Sequence, residues 1–395
     1  LTLPAHGRDR QAANDPGTPH RKVAPPATTP ETGIRRERTP SLADVAARAG
    51  VSVSLVSRVL RGDTSIRIRE ETRRRVHAVA EELGYVPHQL ARNLRTSKAG
   101  AIGLVVHDVT NPIYAEIIRG AQKAVNRRGS VLLLIDAEAV TDEATLLQIA
   151  AGGRVDGLLW QMAGHAELNS RVKVAARHVP VVLVNSRPEA GLPGVYLDDD
   201  RAARVAVRHL LDLCHERIGF IGGLRGSDVS ERRRAAYRAS LTEAGIQRCA
   251  SWEVDGGWDA TSGHDAAARL LKANRSQVTA VLVTNALVAT GVVTAAYEMG
   301  LRVPEDLSVV AIHDLWFAAR LTPPLTVVRL PLMDMGERAV ELLHDVAFAT
   351  GHAAAAASTG SSPRPDGPPD VAIVAPAPHL VTRGSTAPPP ALPAR

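Results

Sequence analysis

Cysteines, aromatic residues and catalytic motifs are all scarce in this 395-residue sequence, and each scarcity closes off a class of protein. Two cysteines, Cys214 and Cys249, are too few for a disulfide framework or a zinc cluster, so a reducing compartment is expected. The 14 histidines include no H-x-x-x-H pair, and no G-x-S-x-G nucleophile elbow occurs. Asp198-Asp199-Asp200 suggests a metal at first sight, but three consecutive residues do not all point one way. They read as helix capping and lobe structure. Gly219 to Gly226 is glycine-rich after an apolar run, yet it is not G-x-G-x-x-G and lacks a Walker lysine, so close strand–helix packing is its expected role. No enzyme, metal or cofactor is expected.

Membrane and secretion signals are equally thin. The first 38 residues are rich in Pro, Thr, Ala and Arg and hold no apolar run able to act as a signal. Gln277 to Tyr297 carries no formal charge and is about long enough to cross a bilayer. Five Thr and Asn residues interrupt it, and it divides into a β-branched run and a helical pattern. A buried strand followed by a helix is expected there, in a soluble cytoplasmic protein.

What the sequence does have is concentrated positive charge. The net charge is +6, but residues 35–98 hold fourteen basic and seven acidic side chains, net +7. Residues 1–34 carry +1, and everything after residue 98 carries −2. A small basic module beside a near-neutral body is the footprint expected of a phosphate-binding surface.

The same module has the spacing of a helix-turn-helix. Ser41 and Asp44 form a capping box, Leu42, Val45, Ala46 and Ala49 recur at helical spacing, and Gly50 supplies the turn. Ser52 caps a second helix that turns Val56, Val59 and Leu60 inward. An ordinary helical hairpin has similar spacing; the basic setting favours DNA. In that geometry the second helix enters the major groove and presents Val53, Ser54, Leu55, Ser57 and Arg58, with the capping Ser41 and Ser52 also expected among the DNA contacts. Arg58 is suited to donate two hydrogen bonds to a guanine, Ser54 to meet a base edge or phosphate, Val53 a thymine methyl, and Ser57 a phosphate. A third helix over Glu70–Leu83 carries Val76, Val79 and Leu83, with Arg73, Arg74 and Arg75 either as a solvated face or as contacts to the DNA backbone.

The runs SLADVAARAGVSVSLVSRVLRG (41–62) and EETRRRVHAVAEELGYVPHQLARNLRT (70–96) resemble the headpiece and hinge of the LacI/GalR family of bacterial repressors, and the similarity continues to about residue 388. The resemblance implies a hinge and linker over 87–98, of which Pro87 to Arg95 becomes helical on operator DNA, with Leu94 at the position that wedges into the minor groove. The sequence departs from the family at Leu55, where a phosphate-touching threonine is usual, at Arg61 and at His88, where Asn is common.

From Ala101 onward, apolar runs alternate with helical patterns. Ile102–Val106, Val131–Ile135, Gly157–Trp160, Val181–Val184, Ile218–Ile221, Val278–Val283 and Leu307–Ile312 read as buried strands. Tyr114–Arg128 and Arg201–Leu213 read as amphipathic helices. The alternation predicts parallel sheets covered on both faces, and the length suits two lobes. The resemblance implies a bilobal α/β core like the periplasmic binding proteins, with an effector in the cleft. The expected organisation is a disordered tail (1–38), an all-α helix-turn-helix headpiece (39–86), the hinge (87–98), an effector-binding and dimerisation domain (99–388) with a flexible insertion at 352–370, and a short tail (389–395).

Pocket residues also come by resemblance. Asn111-Pro112-Ile113-Tyr114 matches the family's turn, placing Tyr114 over the effector. Arg233 matches an effector-binding arginine, Trp258 an aromatic stacking position, and Gln161 and Asn285 polar liners. Plain core packing competes for each aromatic, and an ordinary ion pair for Arg233. Sugar-binding relatives often carry aspartates where this chain has Asn185, Ala286 and His313. With Arg233 kept, the pocket is expected to be less acidic and to take an anionic or planar metabolite in place of a simple sugar. The reading is an effector-responsive repressor that binds a pseudo-palindromic operator as a homodimer. A solute-binding receptor without a DNA role, or more distantly an enzyme on the same scaffold, is the alternative.

Overall fold

In the computed structural model, described residues are 40–85, 98–137, 143–162, 166–189, 191–274, 277–357, 370–373 and 375–390. Leu94 and the rest of the hinge before residue 98, residues 1–39 and 391–395, and most of the 352–370 segment lie outside them. The chain divides into two compact units, 1–87 and 88–395, each taken by itself below.

The first unit is all α. Helices α1 (Leu42–Ala49), α2 (Val53–Leu60) and α3 (Glu70–Glu82) enclose a core of Val45, Ala46, Ala49, Val56, Val59, Val76, Val79 and Ala80. The capping box forms as expected: the Ser41 hydroxyl accepts from the Asp44 N–H at 3.3 Å, and the Asp44 carboxylate accepts from the Ser41 N–H at 2.7 Å. Gly50 takes φ +63, which lets the chain reverse between α1 and α2.

The second unit holds two six-stranded sheets. Lobe 1 begins with β1 (Ala101–Val106), α4 (Tyr114–Arg127), β2 (Val131–Asp136), α5 (Glu143–Ala150), β3 (Gly157–Gln161), α6 (Ala166–Ala175), β4 (Val181–Val184) and β5 (Gly194–Leu197). Lobe 2 follows with α7 (Asp199–Asp212), β6 (Ile218–Gly222), α8 (Asp228–Glu243), β7 (Glu253–Asp255), α9 (Ala260–Asn274), β8 (Ala280–Val283), α10 (Ala286–Glu298), β9 (Ser308–Ile312) and β10 (Thr326–Arg329). The chain then returns to lobe 1 through α11 (Leu332–Ala357) and β11 (Asp370–Ile373), and crosses once more for β12 (His379–Val381). The strand orders are β11-β5-β4-β3-β1-β2 and β12-β10-β9-β8-β6-β7. Three crossovers therefore join the lobes.

The expected strand–helix alternation is present, and the uncharged 277–297 stretch is the strand β8 followed by the helix α10. No helix among the described residues is long and apolar enough to cross a membrane. Three expectations need correcting. Val131–Ile135 is not buried: β2 is the edge of its sheet, and Val131 is 55% exposed with Leu133 and Leu134 open beside it. The sheets are not wholly parallel, because β12 runs antiparallel to β10. The segment expected to loop from His352 begins as helix, since α11 continues to Ala357.

The end of α7 shows a local strain. His215 N–H bonds the Leu210 carbonyl and Cys214 N–H the Leu211 carbonyl, a Schellman closure that requires a left-handed residue at position 214. Cys214 takes φ +68, where a β-carbon costs energy and glycine does not. Cys214→Gly is expected to raise stability by about 1 kcal/mol, read as a higher urea midpoint. An unchanged or lower midpoint would count against the strain.

Candidate nucleic-acid interface and ligand cleft

On the headpiece, α2 presents part of the expected reading face. Val53 is 46% exposed and Ser54 is open to solvent. Other expected contacts are already engaged. The Ser41 and Ser52 hydroxyls cap α1 and α2, the latter accepting from the Leu55 N–H at 3.2 Å. Leu55 is half-buried against the helical core rather than turned outward, because its apolar side chain finds partners there. Ser57 is half-buried, and its carbonyl accepts from Arg61 Nε at 2.8 Å. Arg58 stays partly exposed and pairs with Asp63 through Nε at 2.8 Å.

In the second unit, the C-terminal ends of the strands of both sheets carry the cleft candidates, the place where open α/β sheets bind ligands. Asn185 follows β4 and His313 follows β9, one in each lobe, and both are left-handed, at φ 56 and 74. Non-glycine residues held in that region mark positions that the surroundings over-determine. Contacts that link the lobes here include Asn111 Nδ2 to the Trp258 carbonyl at 3.4 Å and the Arg187 N–H to the Asp228 carboxylate at 3.3 Å.

Around Arg233 lies a charge cluster that sequence reasoning did not assemble. Asp199 is completely buried, and its carboxylate accepts from Arg232 Nη1 at 2.7 Å and Arg233 Nε at 2.7 Å. Arg232 also meets Asp228 and the Leu197 carbonyl, each at 2.9 Å. Arg233, 1% exposed, donates further to the Thr284 carbonyl at 2.5 Å and to His313 Nε2 at 2.9 Å. Burial by itself raises the Asp199 carboxyl, but the Arg233 and Arg232 charges outweigh it and hold the group below the usual range. Two arginines thus face two aspartates, and Arg233 is not the free cation expected for an anionic effector. The charge of Arg233 is spent inside the protein, on Asp199.

Since a guanidinium only donates, His313 Nε2 is the acceptor and the ring proton sits on Nδ1. Burial, then the neighbouring Arg233 charge, lowers His313 to about 3, with Asp199 opposing. His313 Nδ1, Asn185 Oδ1 and Thr284 Oγ1 are buried without hydrogen-bond partners. Buried polar atoms left unpaired are costly, and a ligand's hydroxyl or amide groups would satisfy them.

The remaining candidates divide. Tyr114 is buried and donates its hydroxyl to Gln161 Oε1 at 2.9 Å; burial and the Asp108 charge push the phenol's pKa up, so it stays a donor. Asn285 is spent on capping α10, accepting from the Val288 N–H at 2.7 Å. Trp258 is half-buried, and its ring lies so close over Gly223 that a β-carbon there would strike it. One glycine of the 219–226 run therefore makes room for an aromatic ring. Gly219 packs against Leu270 of α9, the strand–helix role expected of it. Among the described residues, no group of three or more His, Cys, Asp or Glu is placed to hold a metal ion.

The histidines give the core a pH signature. His313 titrates near 6.5 when unfolded and about 3 when folded. Burial lowers His209, His215 and His344 too, whereas His264, at the surface, is raised by its bonds to Glu298 and Asp265. Above pH 6.5 neither state protonates His313. Below it the unfolded chain takes up a proton that the folded chain refuses at His313, so stability falls with a slope of up to about 1.4 kcal/mol per pH unit from that residue. The urea midpoint is expected to drop between pH 7 and pH 5, and His313→Asn, which suits the left-handed backbone, to flatten that drop. An identical slope in the variant would remove His313 as its source.

Comparison with known proteins agrees with both halves of this description. Residues 41–88 match the family model described as bacterial regulatory proteins, lacI family, and residues 207–386 match the periplasmic binding protein-like domain. The HTH-type transcriptional repressor PurR of Photobacterium profundum is 30% identical over 305 residues, covering 77% of this chain and 90% of that protein. Among solved structures, a LacI family transcriptional regulator from Mycobacterium smegmatis is 33% identical with a TM-score of 0.64, covering 73% of this chain and 99% of the other. The lac repressor dimer bound to operator and the anti-inducer ONPF is 26% identical with a TM-score of 0.69, covering 89% of this chain and 100% of the other.

Proposed function

The chain belongs to the lacI family of bacterial regulatory proteins, and from that premise we propose how its residues carry out regulation. It is a sequence-specific DNA-binding transcriptional regulator, and its relatives are repressors. We assign it a pseudo-palindromic operator read by two headpieces of a homodimer, a place in the cytoplasm, and no catalytic step. One observation carries the DNA role: a capped α1–α2 pair, with Val53 and Ser54 turned outward, sits in the only strongly basic stretch of the chain. The open apolar edge at Val131, Leu133 and Leu134 supports a second copy packing on lobe 1.

Arg58 is the proposed base reader. Selection of bound DNA from a random pool should return a two-fold symmetric site, and Arg58→Ala should flatten one position in each half, at about 1–3 kcal/mol per half-site. A variant that selects the same site as the parent would refute the role.

The effector proposed for the cleft is neutral and rich in hydroxyl or amide groups, a sugar or a similarly polar planar molecule. The balanced Arg232–Arg233–Asp199–Asp228 charges and the unpaired Asn185, Thr284 and His313 atoms support this. The lac repressor relative, solved with its anti-inducer ONPF, is in keeping with a small ligand in such a core. Thermal-shift screening of neutral against anionic metabolites tests the class. Stabilisation by anions alone would overturn it.

A further inference from the structure

The reading of Arg58 as a base reader leaves open what holds its side chain. A guanidinium has two donor edges: a side edge made by Nε and Nη2, and an end edge made by Nη1 and Nη2. In the headpiece the side edge is occupied. Arg58 Nε donates to Asp63 Oδ2 at 2.8 Å, and Nη2 donates to Ser65 Oγ at 3.1 Å. The grip is itself braced, because Asp63 Oδ1 accepts from the Ser65 N–H at 2.9 Å and from the Ser65 hydroxyl at 2.6 Å. The turn that places these residues closes on α2 directly, through Asp63 N–H to the Arg58 carbonyl at 3.1 Å, with Gly62 left-handed at φ +72. Bonds from Ser65 and then Arg58 hold the Asp63 carboxyl well below the usual range, so it stays charged throughout the pH range of DNA binding.

We infer that Asp63 and Ser65 are positioning residues for DNA readout: they clamp the side edge of Arg58 and leave its end edge free to meet guanine O6 and N7. The inference rests on Arg58 being the base reader. Bidentate recognition of guanine needs two parallel N–H groups with fixed spacing, and the end edge supplies them. A clamped side chain has already lost the rotamer freedom that a free arginine gives up on docking. Asp63 also has a cost, since a carboxylate beside the duplex repels phosphate. It therefore lowers affinity for DNA of any sequence while sharpening the choice among sequences.

That pairing of opposite effects is the signature to measure. Full-length protein and the variants Asp63→Ala, Ser65→Ala and Arg58→Ala are compared on the selected operator, on the same operator with the guanine replaced, and on unrelated DNA, with thermal unfolding to confirm that each is folded. Asp63→Ala is expected to lower discrimination at the guanine by about 3- to 10-fold per half-site, the equivalent of the ordering cost of one long side chain, and to bind unrelated DNA more tightly. Ser65→Ala, which changes no charge and is the safer variant for folding, should lower discrimination at the same position with unrelated DNA bound as before. If Arg58→Ala leaves every position unchanged, the reading of Arg58 fails and the inference goes with it. Should Arg58→Ala flatten one position while Asp63→Ala and Ser65→Ala leave it intact, the positioning role alone is overturned. An Asp63→Ala variant with tighter operator binding and unaltered preference would likewise overturn it, because Asp63 would then withhold Arg58 from DNA.

Discussion

Asp199→Ala is expected to destabilise the two-lobed core by about 3–5 kcal/mol, among the largest effects of any single substitution in the chain. The carboxylate is fully buried and answers both Arg232 and Arg233, which are themselves buried. Removing it leaves two guanidinium groups out of water with Asp228 and three neutral acceptors between them. Asn in place of Asp keeps the shape and loses the charge, so most of the penalty remains. Pairing Asp199→Ala with Arg233→Met is expected to cost less than the two single effects added, since neither charge of that pair is then left stranded. Urea unfolding of the four proteins gives the cycle. A single-variant loss below about 1 kcal/mol, the range of exposed ion pairs, would show that water reaches the cluster.

The second large effect sits where lobe 1 folds its last helix onto its first. A methyl group on Gly336 of α11 would overlap the Ile117 carbonyl of α4, and one on Gly120 of α4 would overlap the Met333 carbonyl of α11. The helices cross glycine on glycine, with backbone as the obstacle on both sides. Alanine in a helix interior is ordinarily better than glycine by about 1 kcal/mol. Here Gly336→Ala is expected to destabilise by about 3 kcal/mol, at the upper end of overpacking costs, because a carbonyl within a helix has no rotamer to retreat into. A stabilising Gly336→Ala in thermal or urea unfolding would mean that the helices stand further apart.

These two sites differ in how far the sequence foretold them. Apolar runs such as Val181–Val184 and Ile218–Ile221 announce central strands, and the capping signals at Ser41 and Ser52 announce the headpiece helices. Val131–Ile135 has the same continuous apolar pattern, yet position in the sheet decides exposure, and no local pattern carries that position. Strands β5, β7, β10 and β12 are three or four residues long and lack the wholly apolar run of the equally short β4, so they take their form from neighbours already in place. At the site, the resemblance pointed to Arg233, Trp258 and Tyr114, while the neutralising role of Asp199 stayed hidden because its partners lie some thirty residues later in the chain. Three consecutive aspartates look alike until the fold sends Asp198 to a helix cap and Asp199 inward. Leu55 gave an outward prediction from helical phase alone, and its apolar side chain settled against the core.

The three crossings between lobes also set an order of assembly as the chain emerges from the ribosome. Strands β6 to β10 follow one another without leaving lobe 2, so that sheet lacks only its outermost strand, β12, once residue 329 is made. Lobe 1 starts first and finishes late: Gly194–Leu197 waits for Asp370–Ile373 as its neighbour, and β3, β4 and β5 wait for α11 as cover. During that interval the unfinished sheet shows apolar surface, the condition in which nascent chains depend on chaperones. A premature stop after residue 330 would spare most of the second-born lobe and leave the first-born one open.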